Sequence, residues 1–382
     1  MNFDRLKDFL DYYLPMLGVP GSDTVIYKNH EEIFRHTSGY DNLKYRTPMR
    51  ADALHHIYSC TKIVTCVAAL QLIERGEILI NDPVHVYFPE FKNFQVAKRG
   101  TDGKLRLEKP KSTMLIRHLF SMTSGLDYNI RRQSIDRVRK ATDGKCPTLD
   151  VVRAFAEDPL VCDPGERYCY GLSHDVLGGI VELISGMKLG DYMKKNIFDP
   201  LGMKDTTFEI GQHNYQRIAS QYEYDSVGRC ALEVLKDSNI MRFGSEYQSG
   251  GAGLLSTVDD FILLTDALAN GGVGKNGARI LSCASVELLS SPALTPEQSI
   301  SFETGLNLGY DYALGVRVMR DAAKAGSLMP KGAFGWDGKK MCLSVSDPKN
   351  KIAIFHAEEI DGMNAILIPR LMNVIYSCFD EE

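Results

Sequence analysis

The chain has 382 residues, 44% hydrophobic and 24% charged, with a formal net charge of −5 and a pI near 6.0. That length supplies one large domain or two smaller ones with ample core. The mild acidity gives no electrostatic case for a nucleic-acid or anionic-membrane partner.

At the N-terminus, Phe3, Leu6, Phe9, Leu10, Tyr13, Leu14 and Leu17 fall at helical spacing. Asp4, Arg5, Lys7 and Asp8 interrupt any continuous apolar run, so this start does not read as a signal peptide. No stretch has the length and apolarity of a membrane-spanning helix. Residues 23–28 and 32–36 read as strands of a hairpin joined at Asn29-His30, and 38–53 as polar and turn-rich. A helix is predicted over 59–75, stopped by Gly76, and Asn81-Asp82-Pro83 is a turn. Residues 92–112 are basic and Gly-containing, which predicts a surface hairpin. Helices follow at 113–122, 149–157, 173–185 and 189–196. The basic run from Arg131 to Lys140 reads as a solvated helix face. Ser249–Leu255 is a glycine-rich approach to a helix at 258–270. Strands are predicted at 312–319, 340–346 and 352–356, then a C-terminal helix over 363–379 containing Pro369. The pattern implies one domain in an α/β (α+β) class. Residues 1–83 and 236–382 form a sheet-and-helix layer, and 84–235 a mostly helical insert.

Nine cysteines lie scattered, an odd number with no Cys-x-x-Cys pair. That spacing predicts reduced thiols in a cytoplasmic protein rather than disulfides or a zinc site. His55-His56 has no metal-ligand spacing to any Cys or carboxylate, so neither metal nor cofactor is expected.

The chemistry concentrates at Ser59-Cys60-Thr61-Lys62. Residues three apart on a helix share a face, so the Ser59 hydroxyl and the Lys62 amine can meet. Ser-x-x-Lys recurs at Ser185/Lys188 and Ser346/Lys349, but neither opens a helix. Only Ser59 is followed by a long, nearly all-apolar run, the mark of a buried central helix. A lysine in the first turn of such a helix is costly unless paired or functional. The alternative is a capping serine with a snorkelling lysine. Three further stretches matter: Pro164–Gly178, which contains Tyr170-Gly171-Leu172; Ser249–Asp260; and Phe334-Gly335-Trp336-Asp337-Gly338.

In order and spacing these stretches resemble the serine β-lactamase/penicillin-binding-protein superfamily. Leu115–Leu119 and Thr123–Leu126 add to a likeness with its class C-like branch of esterases, D-amino-acid peptidases and acyltransferases. The resemblance spans about residues 20–357. It implies a mainly antiparallel central sheet flanked by helices. It also implies Ser59 as the acylated nucleophile, Lys62 as its activator and Tyr170 as proton shuttle. Trp336-Asp337-Gly338 then stands at the Lys-Thr-Gly strand position, and the backbone N–H groups of Ser59 and Lys339 form the oxyanion hole. Either Lys62 or Tyr170 can serve as base. Gly338 would let substrate lie against the strand edge.

The departures point to substrate. Leu172 replaces the asparagine of Tyr-x-Asn, and Trp336 the strand-motif cation. Trp336 cannot attract a carboxylate and Asp337 would repel one. The expectation is therefore a serine hydrolase on small esters, or a related acyltransferase, with little β-lactamase activity. The alternatives are a D-amino-acid peptidase or weak β-lactamase, and a catalytically silent binding module. Oligomeric state is open.

Overall fold

Strand-forming residues from both ends of the chain meet in one sheet. The computed structural model describes residues 1–228 and 230–379. Eight strands, every neighbouring pair antiparallel, run in the order Tyr310–Tyr312, Arg317–Met319, Phe334–Asp337, Leu343–Asp347, Ile352–Ala357, Gly21–Lys28, Glu31–Asn42 and Thr47–Pro48. The N-terminal hairpin closes on Ile352–Ala357, with Val25 opposite Phe355. Its two-residue loop is Asn29 (φ 51°) and His30 (φ 69°), the left-handed pair a tight hairpin turn requires.

The helix Val258–Ala269 covers one sheet face, and its Phe261 ring lies 4.7 Å from that of Phe355. Thr265 ties the same layers through Ser344 Oγ (2.9 Å) and accepts from Ser346 Oγ at its carbonyl (2.8 Å). The helix Thr61–Glu74 is buried at every position from 61 to 72, as its apolar run predicts, and packs on the helix Ser173–Ser185. The hairpin Val96–Arg99/Leu105–Glu108 and the helix Gln133–Ala141 also lie where the sequence put them.

Several elements differ from expectation. The second strand runs on to Asn42, through residues read as turn-rich. The run 312–319 is broken by a tight turn, in which Ala313 N–H donates to Val316 O (2.8 Å). Gly315 has φ 83° there, and a Cβ on it would sit 2.4 Å from Cys66 Sγ. The block 84–235 is not purely helical, since Gln221–Asp225 and Cys230–Val234 form a hairpin. Helices Cys283–Leu289 and Pro296–Phe302 went unread, although Ser282 caps the first and a Thr295/Gln298 capping box opens the second. The N-terminal helix widens to a π turn over Phe9–Tyr13, and a second π turn spans Lys194–Phe198. Each ends two residues before a proline, whose missing N–H takes away the usual donor to the carbonyl four residues back; at Asn196 that carbonyl accepts from Gln71 Nε2 instead (3.1 Å).

Asp23, on the first strand, is fully buried. Arg35 Nη2 donates to its Oδ2 at 2.9 Å, and Oδ1 is unbonded. Burial pushes this carboxyl up to about 6, against the pull of Arg35. The stability it contributes is complete below the unfolded value of 3.8 and is lost as pH rises through about 6. Asp23→Asn should therefore gain on wild type by up to about 3 kcal/mol between pH 4 and 7. Urea unfolding at both pH values measures this, and a constant difference between the two proteins would refute it.

Candidate active site

Ser59 is presented by a strained backbone. Tyr58 takes φ +41°, uncommon for a bulky residue. Its hydroxyl donates to Gln221 Oε1 (2.6 Å) and its ring is buried, which holds the turn. Tyr58–Cys60 form one 3₁₀ turn before the α-helix starts at Thr61, so the Ser59–Lys62 spacing spans that junction. Cys60 Sγ lies against the Trp336 and Cys342 carbonyls at 3.5 and 3.4 Å, packing the turn on the Trp336 strand.

Lys62 has no exposed surface. Its Nζ contacts Ser59 Oγ at 3.1 Å, Tyr128 Oη at 2.8 Å and Gly251 O at 2.6 Å. It also lies 4.7 Å from the Tyr170 ring centroid. A wholly buried amine with three contacts is no snorkelling cap.

Tyr170 stands beside the pair but bonds elsewhere, accepting from Trp336 Nε1 at 2.9 Å. Its ring packs 5.3 Å from Tyr128 and 5.6 Å from Trp336. Tyr128 is the residue that sequence reasoning missed. Burial pushes its hydroxyl well above the ordinary tyrosine value, with Tyr170 and Asp175 adding to the shift. Its position gave one signal: it lies in the loop that follows Thr123-Ser124-Gly125-Leu126.

A cavity of about 420 Å³ opens at Ser59, its wall largely apolar through Ile130, Ile240 and Met241. Tyr170, Trp336, Asp337 and Lys339 also line it. Leu172 does not; it is fully buried, just ahead of the helix Ser173–Ser185. Gly338 is closely packed: a Cβ there would sit 2.5 Å from Ile57 O, in the serine-bearing segment. Partners weaken the repulsion expected of Asp337. Its carboxylate is held by Arg317 Nη1 (2.6 Å) and Asn364 Nδ2 (2.6 Å), and an anion so paired repels a second anion weakly. Lys339 Nζ pairs with Asp361 at 3.0 Å.

A half-buried serine that lines an apolar cavity thus stands against a fully buried lysine, beside the strand Phe334–Asp337 of the antiparallel sheet. The chain belongs to the Beta-lactamase family, whose model matches residues 6–357. It is 29% identical over 366 residues to the acyltransferase calJ of Penicillium decumbens, covering 90% of this chain and 84% of that protein. It is 29% identical over 357 residues to the esterase EstB of Burkholderia gladioli, covering 87% and 84%. Among solved structures, EstCE1, described as a hydrolase with promiscuous acyltransferase activity, superposes with a TM-score of 0.79 at 22% identity, covering 97% of each chain.

Proposed function

We propose that this chain is a serine hydrolase that forms an acyl-enzyme on Ser59 and acts on carboxylic esters, with transfer to an acceptor alcohol as its near relative. The observation that carries the reading is the fully buried Lys62 Nζ, 3.1 Å from the Oγ of Ser59, which lines an apolar cavity. Ser59 Oγ attacks the ester carbonyl, and its proton passes into the group formed by Lys62 and the tyrosines. The oxyanion is received by the backbone N–H groups of Ser59 and Lys339. The Lys339 N–H donates to no carbonyl among the described residues; each such donor contributes about 10²–10³-fold in rate. The leaving alkoxide takes up the proton. Water, or an acceptor alcohol, then attacks the acyl carbon and frees Ser59. Both outcomes fit relatives named esterase and acyltransferase.

The apolar wall favours an acyl or alcohol group of modest size with no charge of its own. A β-lactam carboxylate meets Trp336 where the superfamily resemblance places a cation. Nitrocefin should therefore turn over with a kcat/KM at least about 10²-fold below that of p-nitrophenyl butyrate. Comparable rates would move the assignment toward a β-lactamase. The direct test is intact-mass analysis with a fluorophosphonate followed by peptide mapping. One adduct on Ser59 is expected, and no adduct on folded protein would remove the acyl-enzyme reading. All nine cysteines are free thiols. No helix among the described residues is long and apolar enough to cross a membrane.

A further inference from the structure

Asp175 stands in the first turn of the helix Ser173–Ser185 and is 1% exposed. Its Oδ1 accepts from Tyr247 Oη (2.7 Å) and Ser249 Oγ (2.6 Å). Its Oδ2 is buried and makes no hydrogen bond of ordinary geometry among the described residues. That oxygen lies beside Gly251, where an added Cβ would sit 2.6 Å from it and 3.6 Å from Lys62 Nζ. Ser249 Oγ also receives the Ala252 N–H (3.0 Å), and Thr65 Oγ1 donates to Gly250 O (2.7 Å). The turn that offers the Gly251 carbonyl to Lys62 is thus pinned from both helices. A buried carboxylate with an unmatched oxygen is costly unless a cation answers it.

The contacts of Lys62 fit two proton counts. As an ammonium it serves Ser59, Tyr128 and Gly251 with three N–H groups. As an amine it serves Gly251 and Tyr128 with two and turns its lone pair to Ser59. The titratable groups around it are Tyr128, Tyr170, Cys66, His174 and Asp175, with Tyr247 behind the last. Burial pushes His174 down to about 3, so it is neutral, and pushes the Cys66 thiol and the Tyr128 and Tyr247 hydroxyls up. Tyr170 faces Nζ with its ring. Burial raises the Asp175 carboxyl too, opposed by the hydrogen bonds from Ser249 and Tyr247 and by the charge of Lys62, and it is the one carboxyl group among these neighbours.

We propose that Asp175 is a positioning residue for Lys62: it seats the Gly251 carbonyl against Nζ, and its charge holds Lys62 as the ammonium. This rests on the reading of Ser59 and Lys62 as the acylating pair.

The test compares pH profiles of kcat/KM for p-nitrophenyl butyrate in wild type, Asp175→Asn and Tyr247→Phe. Tyr247→Phe removes one bond to Asp175 and leaves the charge. Asp175→Asn should lose about tenfold or more, mainly in kcat, and its alkaline limb should move down by about one pH unit or more. Tyr247→Phe should keep the wild-type alkaline limb. An unchanged profile shape in Asp175→Asn, or an acid limb that moves down with a faster rate, overturns the proposal. Should Asp175→Asn not fold, the wild-type protein labelled with 15N-lysine reads the same point, with Lys62→Arg assigning the signal. An ammonium Lys62 at pH 8 is expected, and an amine at pH 7 overturns the proposal. That spectrum does not depend on turnover, so loss of the acyl-enzyme reading through an absent fluorophosphonate adduct is separable from loss of this one.

Discussion

Ser59→Ala should abolish ester turnover, lowering kcat/KM by about 10⁵-fold or more, while leaving the protein folded. The substitution deletes the only protein atom in the scheme that bonds to the acyl carbon. Lys62 cannot replace it, since its Nζ is fully buried behind Ser59 and already engaged with Tyr128 and Gly251. Stability should change by no more than about 1 kcal/mol. Ser59 is half-buried, its strained neighbour Tyr58 is held by its own bond to Gln221, and Cys60 keeps the turn packed on the Trp336 strand. Two readings check this together: intact mass after fluorophosphonate treatment, and the urea midpoint. Retained turnover in a variant that takes no label would place the chemistry on another residue. Lost turnover with a collapsed midpoint would say only that Ser59 shapes the fold.

What the sequence could show follows from how local each feature is. The Ser59–Lys62 contact needs one helical turn and a buried helix, and three-residue spacing and an apolar run encode both. The Asn29-His30 turn is as local, because two residues with positive φ set the register of the pair. Trp336 and Tyr170 were placed by resemblance, and the structure puts both on the cavity wall. Tyr128 was not legible, since it reaches Lys62 across 66 residues of chain from a loop with no periodicity. Asp337 misled because its neutralisation depends on Arg317, one strand over, and on Asn364 in the C-terminal helix. Asp175 reads in sequence as an acid complementing a helix dipole. Only the packing of Ser249–Ala252 against it reveals that it lies against the turn whose Gly251 carbonyl holds the lysine. The hairpin at 221–225 and 230–234 escaped notice because its strands are short and half exposed, and carry no clean alternation.

Lys62→Met should cost activity and stability together, and the pH dependence of the second identifies the cause. Methionine keeps the length and volume of the stem but brings neither donor nor charge. Without Nζ the Ser59 hydroxyl loses its buried partner, and kcat/KM should fall by about 10³-fold or more. Removing an ammonium from a dry interior is by itself favourable, so a simple loss of desolvation would make the variant the more stable protein. Two groups oppose that gain: the Gly251 carbonyl loses a 2.6 Å donor, and Asp175 loses the cation that answers its charge. A buried anion stripped of its partner outweighs the relief, and the variant should be less stable by about 2–4 kcal/mol at pH 8. Burial already raises the Asp175 carboxyl, and without Lys62 it rises further. The folded variant then takes up a proton that the unfolded chain releases, so the deficit should shrink as pH falls toward 5. Adding Asp175→Asn to Lys62→Met should recover most of the loss at pH 8, a coupling that independent sites would not show. Urea midpoints of the two single variants and the double at pH 5 and 8 decide the matter. A Lys62→Met protein at least as stable as wild type at pH 8 would mean that Asp175 is already protonated beside a neutral amine, with Lys62 itself then the base that takes the Ser59 proton.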